Sequence, residues 1–281
     1  MAVVCPYDVE TLGALGAAVR EGIARFVLVG EGDRVVQTAE DAGLDIDELG
    51  RLVAVPDPQA VEVAVTLARE GQVGALMKGM VSTAAFLRGV LDRSRGLRRE
   101  GLLSHVALLD IPSYSKLLAV TDGGINELPG VAEKEWILRN YQVVARALGV
   151  REPRVALLAS SESEGRIKAN AEAVVLRERA RVAFPDMRVE GPIALDVAVS
   201  ARAARVKGVE GHVPGEADCL LVPNIETGNA LCKGLVYFAG AIFAGVVVGA
   251  RVPLVLLSRA DLERSKLASI ALGTVLVTAE G

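Results

Sequence analysis

Aromatic side chains make up only 4% of the 281 residues, with a single tryptophan. A platform for the bases of single-stranded nucleic acid needs several aromatics to stack on, so that class of function is not expected. An excess of charge is missing too. The 31 basic and 35 acidic residues leave a net charge of −4, which gives no general field to hold a polyanion. Histidine occurs twice, at His105 and His212, with no HExxH or similar spacing, so no metal is expected. The three cysteines, Cys5, Cys219 and Cys232, lie far apart and form no CxxC. They are expected to be reduced and structural, in a cytoplasmic protein. The opening MAVVCPYDVETLG carries acids and lacks the basic n-region of a signal peptide. The uncharged stretch Gly234 to Ala250 stops at seventeen residues, holds four glycines and is flanked by Lys233 and Arg251. It is expected to be a buried Gly-rich helix and not a membrane span.

What is present is aliphatic. Hydrophobic residues reach 51%, enough for a globular chain of this length to bury a sizeable core. Short apolar runs alternate with segments of helical periodicity. Val3 to Pro6 is followed by a helical pattern over Val9 to Arg25, the buried strand Phe26 to Gly30, and a helix over Asp33 to Ala42. The next helix has Asp57 as expected N-cap, Pro58 at its first helical position and Gly71 past its end. Gly74 to Met77 reads as a strand, and a basic loop holds Arg93, Arg95, Arg98 and Arg99. Strands are expected at Ser104 to Asp110 and Lys116 to Thr121, then a helix over Glu133 to Leu148. VALLAS, VEGPIALDVAV, ADCLLVP and VPLVLLS supply further strands, and a last helix is expected from Leu262 to Ala271. This alternation implies an α/β fold with mostly parallel sheets covered on both faces, whose ligands sit at the carboxyl ends of strands.

The common phosphate-loop patterns are absent. There is no GxxxxGK[ST], Gly30-Glu31-Gly32 lacks the third glycine of a dinucleotide fingerprint, and there is no GxSxG. Three polar stretches follow buried strands. Lys78-Gly79-Met80-Val81-Ser82-Thr83 opens a helix, where free N–H groups suit an anion, although on this segment alone an ordinary N-cap by Ser82 or Thr83 is the stronger reading. Pro223 to Asn229 joins amide, hydroxyl and glycine, able to hydrogen-bond an acyl or phosphate oxygen or to form a capped turn. Ser258-Arg259-Ala260-Asp261 precedes the last helix; Arg259 can grip a phosphate in its planar fork, and Asp261 and Glu263 read as bases or as acids of a first helical turn. His105, beside a strand, is left unassigned.

Together with LSHVAL, VTDGGIN, EGPIALDVA and KLASIAL, these stretches resemble, in order from Met77 to Leu272, the phosphate acetyl/butyryltransferase family, with details closer to its butyryl branch. The resemblance implies acyl transfer between coenzyme A and inorganic phosphate. It implies a two-domain α/β fold similar to the isocitrate and isopropylmalate dehydrogenases, with the site in the cleft between domains. The expected domains are residues 1–133 with 246–281, and residues 134–245. Ser258 and Arg259 correspond to a hydroxyl that hydrogen-bonds in the transition state and an arginine that balances its charge. Asn229 joins them as a catalytic candidate. Lys78, Ser82, Thr83, Arg88, Glu226, Thr227, Gly228, Lys233 and Asp261 are candidates for binding substrate. Where the acetyltransferases carry an aspartate for the thiol, this chain has Ser265, and Val236 replaces an arginine. Glu226 and Asp261 are the candidate bases. The chemistry implied needs no metal and no cofactor beyond the substrates. Expected partners are acyl-CoA, phosphate and further copies of the chain in a homo-oligomer, with no nucleic acid or membrane. The alternatives are an acetyl- or propanoyltransferase, a carrier-protein-dependent acyltransferase, and an acyl-CoA binder of the same fold without turnover.

Overall fold

The computed structural model describes residues 1–165, 167–257 and 261–280. The chain divides into two units, residues 1–101 with 244–281, and residues 102–243. The first unit opens as β1 (Ala2–Val4), α1 (Val9–Arg20), β2 (Phe26–Gly30), α2 (Gly32–Asp41), α3 (Ile46–Leu49), β3 (Gly50–Ala54), α4 (Asp57–Arg69), β4 (Leu76–Lys78) and α5 (Thr83–Val90). The second follows as β5 (Ser104–Asp110), β6 (Leu118–Thr121), α6 (Val131–Ala147), β7 (Arg154–Leu158), α7 (Lys168–Ala183), β8 (Arg188–Ile193), α8 (Leu195–Val199), α9 (Ala201–Lys207), β9 (Cys219–Leu221) and α10 (Ile225–Ala239). The chain then returns to the first unit through β10 (Ile242–Val248), β11 (Leu254–Leu256) and α11 (Glu263–Glu280).

In the first unit the strand order is β3-β2-β1-β4-β11-β10, parallel except where β10 runs antiparallel to β11. In the second it is β5-β6-β9-β7-β8, parallel except for β5 against β6. The mixed α/β class with mostly parallel strands is as expected. β9 is buried along its whole length and reads as an apolar run without alternation, the pattern of a strand covered on both faces. Each unit has its own core. Leu12, Leu15, Leu28, Met77, Val255 and Ile270 belong to that of the first, and Leu109, Val120, Val197, Val213 and Leu220 to that of the second.

Several local readings change. The first boundary falls at Gly101/Leu102 and not near residue 133, because β6 pairs with β9, Ala119 opposite Cys219, and takes β5 with it into the second unit. Gly234 to Ala250 is not one helix. Gly240, at φ 67°, ends α10 in the left-handed conformation that glycine adopts freely, and the remainder becomes β10. Asp57 does not cap α4: Pro56 holds the N-cap position, and the Asp57 carboxylate bonds elsewhere. Finally, α11 runs on to Glu280 past Gly273, which is retained for packing, since a Cβ there would lie 2.8 Å from Val255 Cγ2. Among the described residues, no helix is long and apolar enough to cross a membrane.

Candidate functional site

In the second unit, the carboxyl ends of the parallel strands β6 and β9 carry two polar segments. After β9, Asn224 takes the N-cap position of α10 and its side chain accepts from Thr227 N at 2.9 Å and Thr227 Oγ1 at 2.6 Å. What reads as a loop in sequence is therefore the first turn of a helix. Glu226, Asn229 and Lys233 recur at helical spacing along one face of α10, and all three are exposed. Gly228 is buried beneath them.

After β6, the turn Asp122 to Asn126 packs on that helix start. Asp122 is 2% exposed, and its carboxylate accepts from Gly124 N at 2.8 Å, Ile125 N at 2.9 Å, His105 N at 3.1 Å, Asn126 N at 3.3 Å and Asn126 Nδ2 at 2.7 Å. Gly123 meets Gly228 backbone to backbone: a Cβ on Gly123 would lie 2.8 Å from the Gly228 carbonyl carbon and 3.0 Å from Asn229 N. The His105 ring fills the space beside Gly124 and stacks on Phe243 at 6.0 Å between centroids.

In the first unit, β4 ends at Lys78, whose Nζ donates to Gly79 O at 3.1 Å and Val81 O at 3.2 Å. Gly79 N donates to Val4 O and Met80 N to Cys5 O, so the chain crosses close over the end of β1. Ser82 caps α5 by accepting from Ala85 N at 3.1 Å, the capping alternative of the two readings above. Thr83 is exposed in the first turn of α5 and Arg88 is exposed near its end. Beside this segment, the Tyr7 hydroxyl donates to Asp57 Oδ1 and accepts from Glu31 N at 2.6 Å, and Cys5 Sγ donates to Asp57 Oδ1 at 3.6 Å. Arg34 lies over the Tyr7 ring at 4.0 Å and 3.5 Å from the Asp57 carboxylate.

The cysteines are not poised for nucleophilic work. Burial, then the Asp57 charge and hydrogen bond, pushes the Cys5 thiol up to about 11, and burial pushes Cys232 up to about 12. Cys219, wholly enclosed, is raised well above its ordinary value by burial, and Tyr7 is raised by burial and by its bond to Asp57. Unfolded thiols ionise near pH 8.5. These groups fold in the protonated form, so the stability they contribute is full below about pH 8.5 and is lost as pH rises through about 11. The melting temperature is accordingly expected to fall progressively between about pH 9 and 11. Thermal melts across that range check this, and a flat profile contradicts it.

Asp261 stands half-buried two residues before α11, and Ser258 and Arg259 lie outside the described residues. Ser265 is buried and Val236 half-buried. Of the predicted residues, the second unit brings Glu226, Thr227, Gly228, Asn229 and Lys233 onto one helix, and the first unit brings Lys78, Ser82 and Thr83 to one strand end. The sequence reading assigned no role to Asp122. Its signal was an aspartate followed by two glycines and an asparagine directly after a buried strand, the composition of a carboxylate-centred turn.

Residues 53–274 match the family model described as Phosphate acetyl/butaryl transferase. The chain is 38% identical to the phosphate butyryltransferase of Clostridium acetobutylicum over 279 residues, 98% of this chain and 92% of that one. It is 38% identical to a phosphate acetyltransferase of Rhizobium meliloti, covering 96% of this chain and 86% of that one. Among solved structures, a branched-chain phosphotransacylase from Enterococcus faecalis V583 superposes with a TM-score of 0.87 at 30% identity, over 99% of each chain. With a family model matched over most of its length and relatives aligned almost end to end, the chain belongs to the phosphate acetyl/butyryl transferase family.

Proposed function

We propose that this enzyme moves a short acyl group, butyryl in the first instance, between coenzyme A and inorganic phosphate, giving acyl phosphate and free CoA. The observation that carries this reading is the start of α10, where Asn229 and Lys233 stand exposed on one helical face at the carboxyl end of β9, in a chain of this family. A phosphate oxygen attacks the thioester carbonyl, a tetrahedral oxyanion forms, and the C–S bond breaks to release CoA as thiolate. Arg259 neutralises the phosphate, while Ser258 and Asn229 donate to the oxyanion; such donors act by being in place before charge develops. Lys78, Ser82, Thr83, Arg88, Thr227, Gly228 and Lys233 are assigned to holding the substrates' anionic and polar groups. In the reverse direction the CoA thiol must lose its proton, and Glu226 or Asp261 is the acceptor. The reaction needs no metal or further cofactor, because phosphate and thioester supply both nucleophile and leaving group.

The acetyl reading draws the same support from sequence, since the chain is 38% identical to a butyryltransferase and to an acetyltransferase alike, and one methylene changes selectivity by only ~1–3 kcal/mol. The same assay ranks the two. Free thiol is measured after mixing the protein with acetyl-, propanoyl- or butyryl-CoA, with and without phosphate, alongside Ser258→Ala and Arg259→Ala. Release that depends on phosphate and is greatest with butyryl-CoA is expected, falling ~100-fold or more in each variant. Saturable acyl-CoA binding without release would leave a binder of the same fold.

We also assign the protein to the cytoplasm and to a homo-oligomer, at least a dimer. Tyr237 and Phe238, adjacent in the last turn of α10, are 70% and 93% exposed, a pair of aromatic side chains suited to packing against another copy of the chain. Light scattering at the mass of one chain, 29.4 kDa, would remove that assignment.

A further inference from the structure

We propose that Asp122 is a positioning residue: its carboxylate locks the turn 123–126 so that Gly123 seats the first turn of α10 and thereby places Asn229. The proposal rests on the acyl-transfer reading for its kinetic consequence, although its structural half can be tested without it.

A turn of this kind needs one or two hydrogen bonds to an aspartate. Asp122 has five, from four backbone N–H groups and the Asn126 amide, which together fill the acceptor sites of a carboxylate. Among the described residues no lysine, arginine or histidine side chain pairs with it. Its charge is held by the convergent dipoles of backbone amides, which fix direction as well as charge.

The turn is tied down on its other sides. Asn126 Nδ2 also donates to Leu103 O at 2.8 Å, and Thr121 Oγ1 donates to His105 O at 2.8 Å. The His105 ring blocks Gly124, whose added Cβ would lie 2.9 Å from His105 Cγ. What remains is the side facing α10. There a Cβ on Gly228 would lie 2.7 Å from Gly123 Cα and 2.9 Å from Val222 Cγ2, so the two backbones are in direct contact and neither can shift alone. A displacement of the turn is transmitted to Gly228 and to its neighbour Asn229. A shift of about 1 Å at a reacting group costs ~100-fold in rate.

Two variants and two readouts test this. Asp122→Asn keeps the size of the side chain and turns an NH2 group toward donors. Gly123→Ala leaves the carboxylate and its bonds intact and pushes on Gly228 and Asn229. Both are expected to lower kcat by ~10–100-fold while KM for acyl-CoA stays within about threefold. In Asp122→Asn, amide hydrogen exchange is expected to accelerate at Gly124 to Asn126 and also at Thr227 to Asn229. Faster exchange confined to 124–126, or a kcat in Gly123→Ala within threefold of wild type, overturns the proposal. So does a lowered melting temperature in Asp122→Asn with kcat per folded molecule unchanged. If the unaltered protein releases no thiol from any acyl-CoA, the acyl-transfer reading fails, and the exchange result still decides whether Asp122 holds α10.

Discussion

Replacing Gly79 with alanine is expected to lower the melting temperature by about 5–10 °C and to reduce activity in parallel. The added Cβ would lie 2.4 Å from Cys5 O and 2.6 Å from Val4 O. Both atoms are backbone, at the end of β1, a strand flanked by β2 on one side and β4 on the other. A clash with the end of a flexible side chain relaxes cheaply, whereas here a strand or the Lys78–Ser82 segment must move. Overpacking of this kind costs about 3 kcal/mol, the upper end of the usual range. Movement of the segment also breaks the bonds from Gly79 N to Val4 O at 2.8 Å and from Met80 N to Cys5 O at 2.7 Å. Gly13→Ala is the control. Gly13 lies inside α1 with nothing within 4 Å of its added Cβ, so alanine there is expected to add about 0.5–1 kcal/mol through helix propensity. Thermal and urea melts of the two variants should move in opposite directions; equal melts would show that the close approach at Gly79 is not what holds the segment.

The second large effect concerns a buried charge pair in the second unit. Lys134 of α6 has a side chain only 5% exposed, and its Nζ lies 2.6 Å from Glu172 Oε2 of α7. It borders a small cavity with Leu157, Leu158, Leu221 and Pro223, at the carboxyl ends of β7 and β9. Glu172→Gln leaves the ammonium buried without its counter-charge, which costs about 3–5 kcal/mol. Lys168, 3.6 Å from the same carboxylate, is a second cation and supplies no counter-charge to Lys134 when Glu172 is neutralised. Lys134→Met removes the more deeply buried charge, keeps an apolar stem of similar length and leaves the 18% exposed Glu172 carboxylate beside Lys168, so its expected cost is smaller, about 1–2 kcal/mol. The asymmetry between these variants is the test, read from urea midpoints. Equal losses would mean that the pair contributes by packing alone.

Much of the fold follows from periodicity that needs no partner to be read. FVLVG gave a strand over Phe26 to Gly30 and SHVALLD one over Ser104 to Asp110, because runs buried on both faces carry no alternation and end at polar or glycine residues. Ends of elements were less legible. The first helix stops at Arg20, since Glu21, Gly22 and Ile23 turn back onto Ala17, Val19 and Ala18, and Gly22 takes φ 70°. Periodicity does not contain that choice. The Asp57 reading failed for a similar reason. An aspartate before proline suits a cap, but the hydroxyl of Tyr7, fifty residues earlier, competes for the same oxygen.

The site divides the same way. Alone, the sequence determined the α/β class, the family and the clustering of Lys78 to Thr83 and Glu226 to Lys233 at strand ends, because these are properties of neighbours along the chain. Only the tertiary structure decided that Pro223 to Asn229 opens a helix, that Gly123 and Gly228 touch, and that Asp122 gathers five N–H groups from its own turn and from β5. Their spacing in sequence is wide: Gly123 and Gly228 stand more than a hundred residues apart. The parallel pairing of β6 with β9 brings them together, and which strands pair is set by burial of the whole sheet, a quantity that no local pattern carries.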